Sequence, residues 1–340
     1  MRRVLGRLAL VVGVTLALLL LLEALMALTG SYEPNPPLYP GDVEAVSDAT
    51  TDPDVGWHLP PGVVSREETV DYRMRYRANR QGFRDREPEA RPGRWRIAFL
   101  GDSYTFGSGV ELRETFVRLI EKRHRGVRTD NFGIGGFGVD QMWATLRRYA
   151  LGVSPDVVVL CFIHYDLDRS LTAYREGHAW LAKPTFKLAD GSLRPLTRAD
   201  RPTGLAGWLE RRSHLVELWR RATFGLERTL PVGYRWRLNR ALFAAVRDDC
   251  RAAGIPLVVV HIPVNRAAPA PSFAREMKRL GIAYLDLQPL LPDDFTPLYF
   301  PHDRHFTPAG HRWAADAIDA FLEERGLLGP PAPVSPGPER

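Results

Sequence analysis

Arg96-Ile97-Ala98-Phe99-Leu100-Gly101-Asp102-Ser103-Tyr104-Thr105-Phe106-Gly107 is an apolar run that breaks, at its polar end, into a glycine-flanked turn carrying one serine. A short apolar segment bounded by turn formers predicts a buried strand, which places Ser103 at its carboxyl end. Outward from this segment, apolar runs recur at Thr129 to Gly133, Asp156 to Ile163, Pro256 to Ile262 and Ile282 to Leu287. Helical spacing fills the intervals, as in Met142, Leu146 and Tyr149, or Leu238, Leu242, Val246 and Cys250 ahead of Gly254 and Pro256. A last helix is predicted with Thr307 as N-cap, Pro308 at its first position and Ala314, Ile318, Phe321 and Leu322 facing inward. This strand-then-helix rhythm predicts an α/β fold, a flavodoxin-like doubly wound sheet of about five parallel strands.

The chain has 340 residues, 45% of them hydrophobic, enough for one sizeable core with appendages. Its net charge of +6 is carried almost wholly by Arg, with Lys only at positions 122, 183, 187 and 278. The cations are dispersed and form no basic block interleaved with aromatics, so nucleic-acid binding is not expected. Leu8 to Leu28 is a nearly unbroken apolar run, broken by Glu23 and long enough to cross a bilayer as a helix. Arg2, Arg3 and Arg7 precede it, and no Lys or Arg follows before Arg66, which predicts the N-terminus inside and the remainder outside. The length of the run favours a retained anchor in the cytoplasmic membrane over a cleaved signal peptide, with Glu23 near the outer interface.

The expected organisation is an anchor or uncleaved signal at 1–30, a linker at 31–54, an accessory extended segment at 55–90, and an α/β domain at 91–327. Tyr72, Met74, Tyr76 and Ala78 alternate with Arg73, Arg75 and Arg77, the period of a half-buried strand. Residues 170–234 are too long for a simple crossover and read as an insertion, with a hairpin turning at Asp190-Gly191 and an amphipathic helix after Ser213. The Pro-rich tail, 328–340, is expected to be disordered. Cys161 and Cys250 read as buried thiols. No spacing implies a metal or cofactor; His302, Asp303 and His305 lack an evident further ligand.

In a doubly wound sheet, ligands sit beyond the carboxyl ends of the strands, where Ser103 falls. A serine hydroxyl needs a neighbouring base to attack a carbonyl, and His305 is the candidate. Asp303 stands two residues before it, so in extended backbone both side chains project to one side and the carboxylate can orient the imidazole. The oxyanion formed by attack needs preorganised donors. Asn131-Phe132-Gly133-Ile134-Gly135-Gly136-Phe137-Gly138 offers backbone N–H groups free of Cβ atoms, with Gly136 the best donor beside the Ser103 N–H. Asp102 reads as a support for the turn and His261 as a core histidine.

These blocks together resemble the SGNH/GDSL hydrolase superfamily, specifically its membrane-anchored bacterial members, over roughly Asp54 to Gly326. Gly101-Asp102-Ser103-Tyr104 is similar to the first block, Asn131 to Gly136 to the glycine block, and Asp303-Arg304-His305 with Gly310-His311 to the last. The resemblance implies the SGNH hydrolase fold, Ser103 as nucleophile, His305 as base, Gly136 as oxyanion donor, and metal-free hydrolysis or transfer of O-acyl groups, often acetyl groups on carbohydrate. The expected substrate is an acylated small molecule or polysaccharide. Two departures stand out. The Asp lies two rather than three residues before the His, a variant resembling the alginate acetyltransferase branch. The third block, usually Gly-x-Asn-Asp, here reads Ile163-His164-Tyr165-Asp166, which puts Tyr165 in the Asn place with Tyr165 or His164 as substitute donors. A catalytically silent binding or scaffold protein of a cell-envelope assembly is the reading from another class.

Overall fold

The computed structural model describes residues 2–40, 51–89, 93–175, 178–229, 233–264 and 272–329. Its central sheet has five parallel strands, numbered here in chain order: β1 (Trp95–Gly101), β2 (Val127–Gly133), β3 (Val157–Phe162), β4 (Leu257–His261) and β5 (Ala283–Asp286). They lie in the order β5-β4-β3-β1-β2. Strand alternation splits the core into two layers. Ala98, Leu100, Val158 and Leu160 face the helices Val139–Thr145 and Tyr234–Ala252. Ile97, Phe99, Val157, Val159, Val258 and Val260 face Phe116–Arg123 and Pro308–Glu324. Each such fully buried aliphatic or aromatic side chain contributes roughly 1.5–3 kcal/mol of transfer free energy. The chain runs from β1 outward to β2, then returns to place β3 on the other side of β1. The carboxyl ends of β1 and β3 therefore flank the topological switch point, where doubly wound sheets bind their ligands.

Strand β2 begins two residues earlier than its apolar pattern suggests, because its charges are paired. Arg128 and Arg96 both reach the Asp130 carboxylate, at 3.0 and 3.1 Å. The outer edge of β2 is also covered: the Asn131 N–H donates to Asp85 at 2.6 Å, and Arg128 pairs with Glu89 at 2.8 Å. Covering an edge strand in this way removes a surface for unwanted pairing. The same extension contains a hairpin, Val64–Glu68 with Arg73–Arg77, whose Tyr76 is buried and accepts the Gly109 N–H at 2.9 Å.

Within the insertion, Phe186–Ala189 pairs with Ser192–Pro195 around Asp190 and Gly191, both with positive φ, as a tight hairpin turn requires. The helix His214–Thr229 follows Ser213. The first helix, Arg2–Thr29, is apolar and long enough to span a bilayer, and most of its apolar side chains face outward. Glu23 contacts the insertion. Its carboxylate accepts the Ser213 hydroxyl at 2.9 Å and the His214 and Leu215 N–H groups at 2.7 and 3.0 Å, capping the insertion helix.

Within the expected linker, Asn35 and Tyr39 contact the insertion. The Asn35 N–H meets Glu217 at 3.5 Å, and Tyr174 donates to the Tyr39 carbonyl at 3.3 Å. Residues 41–50 lie outside the described residues, and beyond them Thr51–Asp52 pairs with Gly56–Trp57. Of the expected tail, 330–340 also lies outside the described residues, while the Leu327 carbonyl accepts the Trp95 indole at 2.8 Å.

Thr307 caps the last helix, accepting the Gly310 N–H at 3.2 Å. One turn on, buried His311 accepts the Phe116 N–H at 3.2 Å and so joins the starts of two helices. Burial first, then the nearby Arg84 and His305 charges, push its pKa down from 6.5 to about 3. The unfolded chain takes up this proton near pH 6.5, the folded one only near pH 3, so stability falls as pH drops between those values. The slope approaches about 1.4 kcal/mol per pH unit for one proton. Urea unfolding between pH 7 and pH 5 is expected to show this slope and His311→Gln to lose most of it; an unchanged slope in the variant would refute the assignment.

Candidate active site

Strand β1 ends where the chain must turn sharply into the four-residue helix Ser103–Phe106. A Cβ at Gly101 would lie 2.0 Å from the Thr105 hydroxyl, so only glycine permits this turn. Asp102 caps the helix, accepting the Tyr104 N–H at 2.9 Å, and left-handed Gly107 closes it onto the Ser103 carbonyl at 2.9 Å. Ser103 is thereby held as the first helical residue at the switch point, its N–H unused by the helix.

The loop before the last helix brings His305 to it. His305 Nε2 lies 2.7 Å from Ser103 Oγ, and among the described residues no other side chain hydrogen-bonds to that hydroxyl. The other ring nitrogen, Nδ1, is hydrogen-bonded to Asp303. Burial would raise the Asp303 pKa, but the imidazole hydrogen bond and charge outweigh it and hold the carboxyl below its usual range. A carboxylate, an imidazole and a hydroxyl thus form one continuous hydrogen-bonded line.

The pairing of Asp303 with His305 does not arise from extended backbone, as the spacing implied. Arg304 between them is left-handed, φ +73°, and the loop closes through Phe300 N–H to His305 O at 2.8 Å and Arg304 N–H to Phe300 O at 3.1 Å. A left-handed non-glycine residue costs about 1–2 kcal/mol, offset here by those bonds and by Tyr104, whose hydroxyl donates to the Arg304 carbonyl at 2.8 Å. The Tyr104 ring also packs against the His305 ring, centroids 5.1 Å apart.

One group at the site, Asp71, left no motif in the sequence. Asp71, at the tip of the extension hairpin, accepts the Asp303 and His302 N–H groups at 2.7 and 2.9 Å and the His302 ring at 2.8 Å. Behind Ser103, Asp102 and Asp166 are fully buried around one guanidinium, Arg169, at 3.5 and 2.6 Å. Burial raises both carboxyls above their normal range, and for Asp166 the Asp102 charge raises it further. The partnership of Asp102 with Arg169 adds to the turn-supporting duty expected of it.

The glycine segment reaches Ser103: a Cβ at Gly135 would lie 3.9 Å from Ser103 Cβ, and Gly136 follows with φ +82°. Trp57 donates its indole N–H to the Gly135 carbonyl at 2.9 Å, fixing this turn from the extension. Tyr165 is 41% exposed and its ring lies against His164, centroids 4.0 Å apart. The Asp166 carboxylate reaches back to the Ile163 N–H at 2.9 Å. His261 pairs with Asp286 at 2.9 Å in the core, and Cys161 and Cys250 are buried free thiols. Among the described residues, no group of three or more His, Cys, Asp or Glu side chains is arranged to hold a metal ion.

Three solved structures illustrate what the chain is similar to. The psychrotrophic esterase EstA from a Pseudoalteromonas species is 13% identical, with 68% of this chain and 98% of that one covered at a TM-score of 0.41. The lipase/acylhydrolase from Enterococcus faecalis is 14% identical, with coverages of 68% and 96% and a TM-score of 0.38. An acetyl xylan esterase is 15% identical, with coverages of 67% and 99% and a TM-score of 0.39. No curated protein sequence matches the chain. The GDSL-like Lipase/Acylhydrolase family matches residues 99–313, a span that holds Ser103, the glycine turn, Asp303 and His305. The chain is a member of the GDSL-like lipase/acylhydrolase family, the SGNH hydrolases.

Proposed function

We propose that this hydrolase is a serine esterase that cleaves O-acyl esters, with O-acetyl groups on cell-envelope carbohydrate as its substrate class. The observation that carries the reading is the 2.7 Å contact between His305 Nε2 and Ser103 Oγ, with Nδ1 occupied by Asp303. As Ser103 Oγ attacks the acyl carbon, His305 takes the hydroxyl proton on Nε2 and Asp303 stabilises the imidazolium. The carbonyl electrons move onto oxygen, which the Ser103 and Gly136 N–H groups face. Collapse expels the alcohol, which leaves with the proton from His305, and a water activated by the same imidazole hydrolyses the acyl-serine.

The apolar helix Arg2–Thr29, with arginines at its start, supports a single-pass anchor in the cytoplasmic membrane with the enzyme on the outer side. A sugar hydroxyl in place of water would make the same intermediate an acyl transfer step. The spacing of Asp303 and His305 is what favours that second reading. A silent scaffold protein would rest on Tyr165 and would leave Ser103 unreactive.

The detergent-solubilised full chain is expected to be labelled by a fluorophosphonate and to hydrolyse p-nitrophenyl acetate, and Ser103→Ala to lose both; labelling that survives the substitution would refute Ser103 as nucleophile. Asp303→Asn is expected to reduce kcat on the order of 10³- to 10⁴-fold, because the amide holds the imidazole in the wrong tautomer. A loss below about tenfold would mean that Asp303 does not orient His305. Adding acetylated oligosaccharide and an unacetylated acceptor distinguishes release of free acetate from transfer.

A further inference from the structure

The esterase reading leaves the oxyanion with two backbone donors, from Ser103 and Gly136. The amide that a third-block Asn would supply is replaced by Tyr165, which stands at the surface against His164. One missing donor costs about a hundredfold or more in rate, so a substitute is expected nearby.

Arg175 lies against the glycine turn. It belongs to the short strand Tyr174–Arg175 that opens the insertion, and it is half-buried. A side chain at Gly136 would lie 3.2 Å from Arg175 Nε and 3.6 Å from its guanidinium carbon. The guanidinium rests over the Trp57 ring, 5.7 Å from the centroid, and Trp57 in turn holds the Gly135 carbonyl. Nucleophile, glycine turn and guanidinium are therefore consecutive neighbours, with Trp57 fixing the last two together. Gly136 is needed here twice over, for its positive φ and because a Cβ would press on the guanidinium.

The charge is also available. Among the described residues Arg175 forms no ion pair with a carboxylate; the charges that act on it are the repelling Arg169 and the weaker attraction of Glu67. Glu67 already accepts the Tyr76 hydroxyl at 2.5 Å. A half-buried guanidinium without a partner is unfavourable in the resting site and becomes favourable when negative charge forms beside it. Planar N–H donors suit an oxygen that carries such charge.

We propose that Arg175 is a third oxyanion donor, a guanidinium doing from the insertion what the absent amide does at the end of β3. This rests on the serine esterase reading. When Ser103 Oγ bonds to the acyl carbon and its proton passes to His305, the carbonyl π pair moves onto oxygen. Arg175 shares that charge with the Ser103 and Gly136 N–H groups until the C–O bond to the alcohol breaks and the carbonyl re-forms.

The test uses the full chain and p-nitrophenyl acetate, a neutral ester with no group of its own to bind a guanidinium. Arg175→Gln and Arg175→Ala are expected to lower kcat about a hundredfold with KM changed less than about threefold. Arg175→Lys is expected to recover part of the loss, and added guanidinium chloride to raise the rate of Arg175→Ala but not of the native chain. Urea midpoints matching the native chain exclude unfolding as the cause. A native enzyme that is labelled at Ser103 and hydrolyses the ester, with variants within threefold of its kcat, would overturn the proposal and leave the esterase reading intact. A rise in KM alone would overturn it in favour of substrate binding. A native chain that is neither labelled nor active would instead overturn the esterase reading beneath it.

Discussion

A hydroxyl and an imidazole that are about two hundred residues apart in the chain meet at 2.7 Å, and most of the local architecture serves that contact. The hydroxyl is fixed by a strand end that only glycine can turn; the imidazole arrives on a loop whose backbone is left-handed at Arg304. Tyr104 joins the two, since it directly follows Ser103 while its hydroxyl holds the Arg304 carbonyl and its ring braces His305. Ser103 and His305 are therefore positioned by one another's supports. Precise placement of this kind is what lets a weak nucleophile react without the entropy cost of finding its partner.

The fold was legible because it depends on periodicity. Five apolar runs, each separated by helical spacing, became five parallel strands in the expected order, and the N-cap role of Thr307 followed from its place before Pro308. Ser103, Asp303 and His305 were legible for a related reason: each sits at the end of a strand or just before a helix, where punctuation residues mark the position. Asp71, Trp57 and Arg175 were not, because their importance comes from contacts across dozens to hundreds of residues, and nothing in a local pattern marks such a partner. The geometry joining Asp303 to His305 was misread for a different reason. Spacing of two suits extended backbone, but it also suits a tight turn once hydrogen bonds compensate a left-handed residue.

The parts outside the repeating α/β pattern do more than decorate it. The extension supplies Asp71 beneath the 300–305 loop, Trp57 against the glycine turn, and Asp85 and Glu89 along the open edge of β2. The insertion supplies Arg175 and the helix that Glu23 caps. Both therefore pack against the loops that carry Ser103, the glycine turn and His305. The pair of buried carboxylates around Arg169 shows the same economy: a single guanidinium supports the Asp102 turn and the end of β3 together.

Glu23 has a mechanical consequence. Because its carboxylate grips the start of the His214–Thr229 helix while Asn35 and Tyr39 lie along the insertion, the apolar N-terminal rod and the catalytic body are clasped by noncovalent contacts as well as by peptide bonds. Severing the backbone between Tyr39 and Thr51 would leave those clasps in place. Ser103 consequently keeps a set bearing relative to the rod, like a tool in a chuck instead of one on a string.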